Sequence, residues 1–373
     1  MKKKTIAVLF GGRSGEHEVS LVSAESVMQA LDPGRYDVLP VGVGKDGLWY
    51  CGDEALAFLR TGKGAPPRCM LPADAGRSCF LVQEGESWIE KHVDVVFPVI
   101  HGSNGEDGTL QGLLELAELP YVGAGVAGSA VAMDKVLQKR LHRDAGILVV
   151  PFKSYRSHDI AVRAEDIARE IAGELGFPVF VKPPNLGSSV GISKAEDHDT
   201  LVEALRHAAR FDRKVLAEKA IPAAREIEVA VLGNDDPTAS VPGEVVPSND
   251  FYDYDAKYVD GASALHIPAD LPEQLSSDIR HMAVEAFRAL ECEGMARVDF
   301  LLSRDTGELY INEINTIPGF TSISMYPKLF EAVGIPYRDL IDRLISFALQ
   351  RHAEKQALTR SYSPKADWYR DDR

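Results

Sequence analysis

The 373-residue sequence predicts an α/β protein that turns α+β in its C-terminal parts. Three observations carry that reading. Residues 5–120 alternate short apolar, β-branched runs with helical patterns, the arrangement of a parallel sheet covered by helices. Residues 294–320 read as two apolar and aromatic runs joined by Asp305-Thr306-Gly307, a three-residue hairpin loop with glycine where a left-handed backbone is needed. Just before them, residues 273–290 place Leu275, Ile279, Met282, Ala286 and Leu290 on one face of a helix.

In chain order, residues 5–10 form a buried strand that runs into the glycine turn Gly11-Gly12-Arg13-Ser14-Gly15. A helix follows from about Ser20, with Leu21, Ala24, Val27, Met28 and Leu31 on one face, and stops at Asp32-Pro33-Gly34. Residues 36–43 and 92–99 are further strands and 110–119 another helix. Ligands of such sheets sit beyond the carboxyl ends of the strands, so the loops 11–20 and 101–108 are candidate site loops. The first carries Glu16 and His17 but lacks the full dinucleotide fingerprint, which argues against NAD. Glu16 also fits as an acid favoured at a helix N-terminus. Between about residues 50 and 88 the chain is turn-rich and polar, with no assignable chemistry. Residues 121–132 are rich in glycine and alanine and read as a domain junction, with helical character resuming at Met133-Asp134-Lys135.

A strand at 177–181 ends at Lys182 and leads into a loop with Gly187, Ser188, Ser189 and Gly191. Such a loop offers N–H groups and hydroxyls to phosphate oxygens, although the P-loop order GxxxxGK[ST] is absent. A strand at 215–218 ends in Glu218-Lys219-Ala220-Ile221. The acid there fits either as acceptor for an amino group such as that of adenine or as half of a surface ion pair. Residues 226–232 and 240–246 resume a sheet. The connection 247–268 has the length of a lid, with aromatics that suit a base and Lys257 for a phosphate. Helical segments follow the hairpin to about Arg351, and a charged, poorly packed tail is expected from there.

The hairpin carries the chemistry. With Thr306 at its centre, Arg304 faces Glu308, Asp299 faces Glu313 and Arg297 faces Asn315, and the last four residues share one face. Opposed carboxylates destabilise a sheet, and apolar neighbours such as Val298, Phe300, Ile311 and Ile314 worsen the repulsion. A divalent cation is the natural compensation, because Asp, Glu and an Asn carbonyl are hard oxygen ligands that suit magnesium or manganese held jointly with phosphates. The competing reading is a structural hairpin whose acids meet lysines from elsewhere. Arg297 and the Pro318-Gly319 turn beside the set favour the metal.

A net charge of −15 argues against non-specific nucleic-acid binding and against an anionic membrane surface, so an anionic substrate has to be held by local lysines. Cys51, Cys69, Cys79 and Cys292 show no metal spacing and no disulfide framework, as for reduced thiols in a cytosolic protein. The apolar run after Lys2-Lys3-Lys4 is too short for a signal peptide, and no segment is long enough to span a bilayer.

Lys135, Lys182-Pro183, the Gly187-Ser-Ser-Val-Gly191 loop, Glu218-Lys219, Arg297-x-Asp299 and Glu313-x-Asn315, in this order, resemble the ATP-grasp carboxylate–amine ligases. The chain is most similar to the D-alanine–D-alanine ligase family. That family's Gly-Gly-x-Ser-x-Glu-His-Glu-Val-Ser matches residues 11–20, its His-Gly-x-x-Gly-Glu-Asp-Gly residues 101–108, its Tyr-Asp-Tyr-x-x-Lys-Tyr residues 252–258, and its Asn-Glu-Ile-Asn-Thr-x-Pro-Gly-Phe-Thr residues 312–321. The resemblance covers roughly residues 4–352. It implies a three-domain ATP-grasp fold: a Rossmann-like N-terminal α/β domain (1–130), a central subdomain (131–221), a C-terminal subdomain (222–352) with the lid 247–268, and a polar tail (353–373). ATP would be clamped between two antiparallel sheets.

The resemblance further implies that two D-alanines are ligated through an acyl phosphate, for peptidoglycan precursor synthesis. By similarity, two Mg2+ or Mn2+ ions sit on Asp299, Glu313 and Asn315. Lys135, Lys182, Ser188 and Lys257 surround the phosphates. Glu218 with Lys219, Ala220 and Ile221 holds adenine, Phe251 stacks near it, and Glu226 takes the ribose. Arg297 and the Gly319 N–H form an oxyanion hole. Glu16 receives the ammonium of the first D-alanine, with His101 beside the substrate, and joins Ser188 and Tyr258 in orienting the reactants. Ser324 and the Met325 backbone receive the carboxylate of the second D-alanine. Tyr258 favours D-alanine as acceptor; D-lactate or D-serine as acceptor, or a nucleotide-binding protein without catalysis, are the alternatives. A cytoplasmic homodimer is implied as well. The base for the attacking amine and any monovalent-cation requirement stay open.

Overall fold

The structure is a computed structural model of the chain and describes residues 2–187, 190–246, 264–321 and 323–362. Strands β1 (Lys4–Gly11), β2 (Tyr36–Val43), β3 (Trp49–Cys51) and β7 (Val95–Pro98) form a first sheet in the order β3-β2-β1-β7. β1 is parallel to β2 and β7, and β3 adds an antiparallel edge. Helix α1 (His17–Ala30) starts three residues before the expected Ser20. Buried Ser20 explains why the turn is fixed there: its Oγ accepts from the Gly11 N–H (2.8 Å) and donates to the Val99 carbonyl (2.6 Å), tying together the carboxyl ends of two strands.

The region from 50 to 88 departs from expectation. It contains a helix, α2 (Glu54–Thr61), and most of a small antiparallel sheet of β4 (Cys69–Met70), β5 (Cys79–Glu84) and β6 (Ser87–His92). The strand expected at 92–99 is therefore two elements, since His92 closes β6 and only β7 joins the parallel sheet. Every side chain of β6 is exposed or half-exposed, so no apolar alternation marked it. Helix α3 (Thr109–Leu116) lies where expected but ends three residues sooner. The Gly/Ala-rich stretch is in large part helix α4 (Val126–Met133), as the helix propensity of alanine allows. Asp134 then caps α5 (Lys135–Asp144), accepting from the N–H groups of Val136 (3.1 Å) and Leu137 (3.2 Å).

A second, antiparallel sheet has the order β10-β9-β11-β8, from β8 (Phe152–Arg156), β9 (Val179–Lys182), β10 (Ser193–Ala195) and β11 (Lys214–Lys219). It is covered by α6 (Ser157–Leu175) and α7 (His198–Ala208), which bury Ile160, Ile167, Ile171, Leu201 and Leu205 against Val181 and Val215. The third sheet runs β15-β14-β12-β16-β17, with β13 (Thr238–Ala239) beside β12 (Arg225–Gly233), and all pairs are antiparallel. Its other strands are β14 (Gly243–Val246), β15 (Ala264–His266), β16 (Gly294–Leu302) and β17 (Leu309–Asn315). Helix α8 (Glu273–Ala289) packs Ile279, Ala283, Ala286 and Phe287 onto it, and Ala132, Ile147 and Val149 join the same core. Most of the expected lid, residues 247–263, lies outside the described residues.

The β16–β17 hairpin keeps the important pairs but not for the expected reason. Asp299 faces Glu313 and Arg297 faces Asn315, yet nearer the turn Leu302 faces Leu309, one residue out of the expected register. The Ser303 N–H donates to the Glu308 carbonyl (2.9 Å), so the loop spans 304–307 with Gly307 at φ +71°, and the expected Arg304–Glu308 pair is absent. Arg304 lies 3.8 Å from Glu244 instead. A bulge at Asn312 then restores the register that brings the carboxylates together.

The last helices, α9 (Met325–Glu331) and α10 (Tyr337–Ala357), bury Leu329, Phe330, Leu340, Ile341 and Leu344 with Phe97, Val99 and Met295. No loose tail begins at Arg351, contrary to expectation. Buried Arg351 donates to the carbonyls of Gly123 and Tyr121 (the latter 2.8 Å), pairs with Glu293 (3.2 Å) and lies 4.4 Å from the Tyr121 ring centroid. Residues 363–373 lie outside the described residues. The four cysteines are buried and free. Among the described residues no helix is long and apolar enough to cross a membrane.

Candidate active site

The hairpin presents Arg297, Asp299, Glu313 and Asn315 on its less buried face. Arg297 grips Asp299 by a fork, Nε to Oδ1 and Nη2 to Oδ2, both 2.7 Å, and also lies 3.1 Å from Glu228 Oε2. Glu228 stands opposite Asp299 on β12, so three acids are aligned across β12, β16 and β17. Lys135 reaches Glu313 Oε2 at 3.0 Å. The acids therefore do meet protein cations. Asn315 does not share in this: its Oδ1 is buried and accepts no hydrogen bond. An orphaned carbonyl oxygen costs free energy, and a hard cation beside Asp299 and Glu313 would satisfy it. Two carboxylates and an amide oxygen thus fit a magnesium or manganese site. Among the described residues no cluster of three His, Cys, Asp or Glu makes a rival one.

The Asp134 cap sets Lys135 at the first turn of α5 and Lys139 one turn later on the same face. Lys135 Nζ also donates to the Leu186 carbonyl (3.1 Å), which ties it to the glycine loop after β9. Burial pulls its pKa down, but the charge and hydrogen bond of Glu313 outweigh that and hold it raised. Sequence reasoning missed Lys139, although its i,i+4 spacing from Lys135 was legible. Its side chain is almost wholly buried, ion-pairs with Glu218 Oε1 and donates to the Asn312 carbonyl of the bulge (3.3 Å). Lys182, at the end of β9, ion-pairs with Glu218 Oε2. Burial alone would raise the Glu218 pKa; the two lysines reverse this and keep it low. Glu218 is therefore no surface acid. The N–H groups of Lys219 and Ala220 are spent on the carbonyls of Pro151 (3.0 Å) and Pro178 (2.9 Å).

Glu16 comes from the first sheet. An ideal Cβ built on either Gly102 or Gly187 would stand 2.6 Å from its Oε2, so the carboxylate lies close against the backbones of two different units. Next to it, His101 is buried with both ring nitrogens engaged: Nδ1 donates to the Ile317 carbonyl (2.9 Å) and Nε2 pairs with Ser23 Oγ (3.0 Å). Burial lowers its pKa, so the ring is neutral. Buried Glu106 accepts from the N–H groups of Gly102 (2.6 Å) and Ile317 (3.0 Å). Burial, and then the charge of Glu16, push its pKa up to about 8. His101 and Glu106 together pin loop 317–320 against the first sheet. At the end of that loop Ser324 Oγ lies close to Gly319 and hydrogen-bonds Thr321 Oγ1 (2.7 Å). The Met325 side chain is buried in the core.

The match to proteins of known family decides what this arrangement is. Residues 5–124 match the family model for the D-ala D-ala ligase N-terminus, and residues 141–346 that for the C-terminus. The chain belongs to the D-alanine–D-alanine ligase family.

Two curated members show how closely. The D-alanine–D-alanine ligase of Thermoanaerobacter sp. (strain X514) is 52% identical over 359 residues, 95% of this chain and 99% of that protein. The one from Acetivibrio thermocellus is 49% identical over 365 residues, 94% and 97% of the two chains. Among solved structures, the D-alanine–D-alanine ligase from Coxiella burnetii superposes with a TM-score of 0.84 at 38% identity, covering 95% of this chain and 97% of that one. The VanG D-Ala:D-Ser ligase from Enterococcus faecalis gives 0.83 at 36% identity, covering 93% and 100%. The fold is thus the ATP-grasp fold of the D-alanine–D-alanine ligase family, as the sequence motifs implied. Of the family residues carried over from sequence, Ser188, Phe251, Lys257 and Tyr258 lie outside the described residues. Glu226 is placed on β12, opposite Leu301 of β16. Lys139, Glu106 and Glu228 are the neighbours that sequence reasoning left out. Glu228 had one signal, a spacing of two from Glu226 that puts both on one face of a strand.

Proposed function

We propose that this chain joins two D-alanines into D-alanyl-D-alanine with conversion of ATP to ADP and phosphate, supplying peptidoglycan precursors. The observation that carries this is the convergence of Asp299, Glu313 and the unsatisfied Asn315 oxygen with Lys135. Hard oxygen donors beside fixed cations are what a metal–triphosphate complex needs. Mg2+ or Mn2+, two ions in the full site, would be held by Asp299, Glu313 and Asn315 and would neutralise charge as the phosphoryl group moves.

Each step then has its residues. Lys135 and Lys182, with Ser188 and Lys257, hold the phosphates. Glu218, the backbone carbonyls of Lys219 and Ala220 and the Ile221 N–H face adenine, with Phe251 near the base and Glu226 on the ribose. Glu16 receives the ammonium of the first D-alanine, while His101 acts by pinning the loop that ends at Gly319. The carboxylate of that D-alanine attacks the γ-phosphorus, forming a C–O–P link as ADP departs. The amine of the second D-alanine, held by Ser324 and the Met325 backbone, attacks the acyl carbon; a C–N bond forms and phosphate leaves. Arg297 and the Gly319 N–H stabilise the oxyanion in between. One proton must leave the attacking amine, and Tyr258 and Ser188 are the candidates to take it. A cytoplasmic homodimer that binds neither nucleic acid nor membrane completes the reading.

The test is phosphate release from purified protein with magnesium and ATP, using D-alanine, L-alanine, and D-alanine with D-lactate or D-serine. Phosphate matched mole for mole by D-alanyl-D-alanine is the expected result; repeating the assay with and without potassium reads any monovalent-cation requirement. ATP binding without turnover on any of these would overturn the proposal in favour of a nucleotide-binding protein.

A further inference from the structure

Glu218 is a buried acid whose two oxygens each face a different lysine, Oε1 Lys139 and Oε2 Lys182. Each oxygen thus faces an ammonium before any nucleotide arrives, and a purine amino group would compete with Lys182 for Oε2. The two lysines are not equivalent. Lys139 is almost wholly buried in α5 and is anchored a second time on the Asn312 carbonyl (3.3 Å). Withdrawing it would strand a buried ammonium, which is costly. Lys182 ends its strand directly before the glycine loop and keeps some exposure.

We infer that Lys139 is the fixed counter-ion of Glu218, and that Lys182 is shared: it moves from Glu218 to the nucleotide phosphates and so frees the oxygen that accepts from the adenine amino group. The inference rests on the nucleotide reading given above. Its consequence is that base recognition is conditional on the phosphate chain. ATP presents anionic oxygens that draw Lys182 away, and the base is then read by a carboxylate still neutralised by Lys139. Adenosine presents no such oxygens, so Lys182 stays on Glu218 and the amino group goes unread. Lys139 acts as a positioning residue through Glu218.

The experiment is calorimetric binding to the full chain of ATP against ITP, which carries an oxo group in place of the amino group, and of adenosine against inosine. A hydrogen bond to a charged acceptor corresponds to about tenfold or more. Wild type should prefer ATP to ITP by that factor and adenosine to inosine, both titrated to millimolar concentration, by less than about threefold. In Lys182→Met both nucleotides should weaken, and adenosine should gain a preference of about tenfold over inosine. In Lys139→Met the preference for ATP over ITP should fall below about threefold. A wild type that prefers adenosine to inosine as strongly as ATP to ITP overturns the inference, as does a Lys182→Met protein that gains no preference for adenosine. Should the Met variant fail to fold, Lys182→Gln takes its place in the same adenosine–inosine comparison. Absence of any ATP binding by wild type is a different failure, since it removes the ligase reading itself.

Discussion

Asn315 carries a cost in the free protein that a bound cation would remove. Its Oδ1 is buried and accepts no hydrogen bond, a penalty of about 1–3 kcal/mol. Replacing it with an apolar residue of similar shape should therefore leave the ligand-free protein as stable as before, or more so. Asn315→Leu is expected to keep or raise the denaturant midpoint without nucleotide while weakening Mn2+ binding at least tenfold, read by calorimetry with a non-hydrolysable ATP analogue. A loss of more than about 2 kcal/mol in the ligand-free variant would mean that the oxygen has a structural partner instead. Arg297 behaves differently. Its fork reaches both oxygens of Asp299 and it also lies beside Glu228, which would keep a partner on it if Asp299 turned to a metal. Arg297→Lys retains the charge and loses the fork. Steady-state kinetics should show kcat falling by about 10^2 to 10^3, the size of one lost oxyanion donor, with a much smaller change in the KM for ATP. Equal changes in both would assign Arg297 to ground-state binding.

At the scale of elements, the site depends on where α5 begins. Asp134 caps that helix through two backbone N–H groups and ion-pairs with Lys214 of β11, so a single side chain fixes Lys135 and Lys139 relative to Glu218. Asp134→Ala should cost about 1–2 kcal/mol by urea denaturation and also raise the KM for ATP. Asp134→Asn, which can still cap, should recover most of the stability; equal loss in both would show that the Lys214 pair, not the cap, sets the helix. The hairpin shows what was legible in sequence and what was not. Period-two alternation from Arg297 to Asp299 and from Glu313 to Asn315 put the four side chains on one face, and the structure agrees. The turn was misread by one residue, and the Asn312 bulge cancels that error before it reaches Asp299. Nothing in the local sequence announces the bulge, because its partner is Lys139, more than 170 residues away. The same limit hid the burial of Glu218 between two lysines and the role of Glu106, whose environments are made by side chains and N–H groups from distant elements. β6 and α4 were missed for local reasons, one having no apolar stripe and the other being rich in small residues. The glycine loop after β9, strand ends and paired acids were readable because their pattern is carried by a few adjacent residues.

For the whole molecule, α5 links the second and third sheets, whose cores are separate, and one buried group on it should make the joint sensitive to pH. His142 hydrogen-bonds the Ala286 carbonyl of α8 (3.3 Å) and is almost completely buried. Burial lowers its pKa to about 4 from an ordinary 6.5, with the hydrogen bond opposing and Lys139 adding to the fall. The sign follows from proton uptake. Below pH 6.5 the unfolded chain binds a proton that the folded protein refuses until about pH 4, so stability present above 6.5 is lost as pH falls through that window. Each pH unit within it corresponds to about 1.4 kcal/mol, giving about 2 kcal/mol by pH 5 and about 3 kcal/mol at the acid end. Carboxylates held low by cations, such as Glu244 beside Arg225, also release stability in acid, so the wild-type curve alone does not isolate the histidine. The difference between wild type and His142→Gln does, because glutamine keeps a donor for Ala286 and has no proton to take up. Urea midpoints measured from pH 7.5 to 4.5 should converge on the variant's side: the variant loses less stability than wild type across the window, by about 2 kcal/mol at pH 5. Parallel curves would mean that His142 accepts its proton in the folded state, through an opening of α5 from α8 at a pH where the site would otherwise stand assembled.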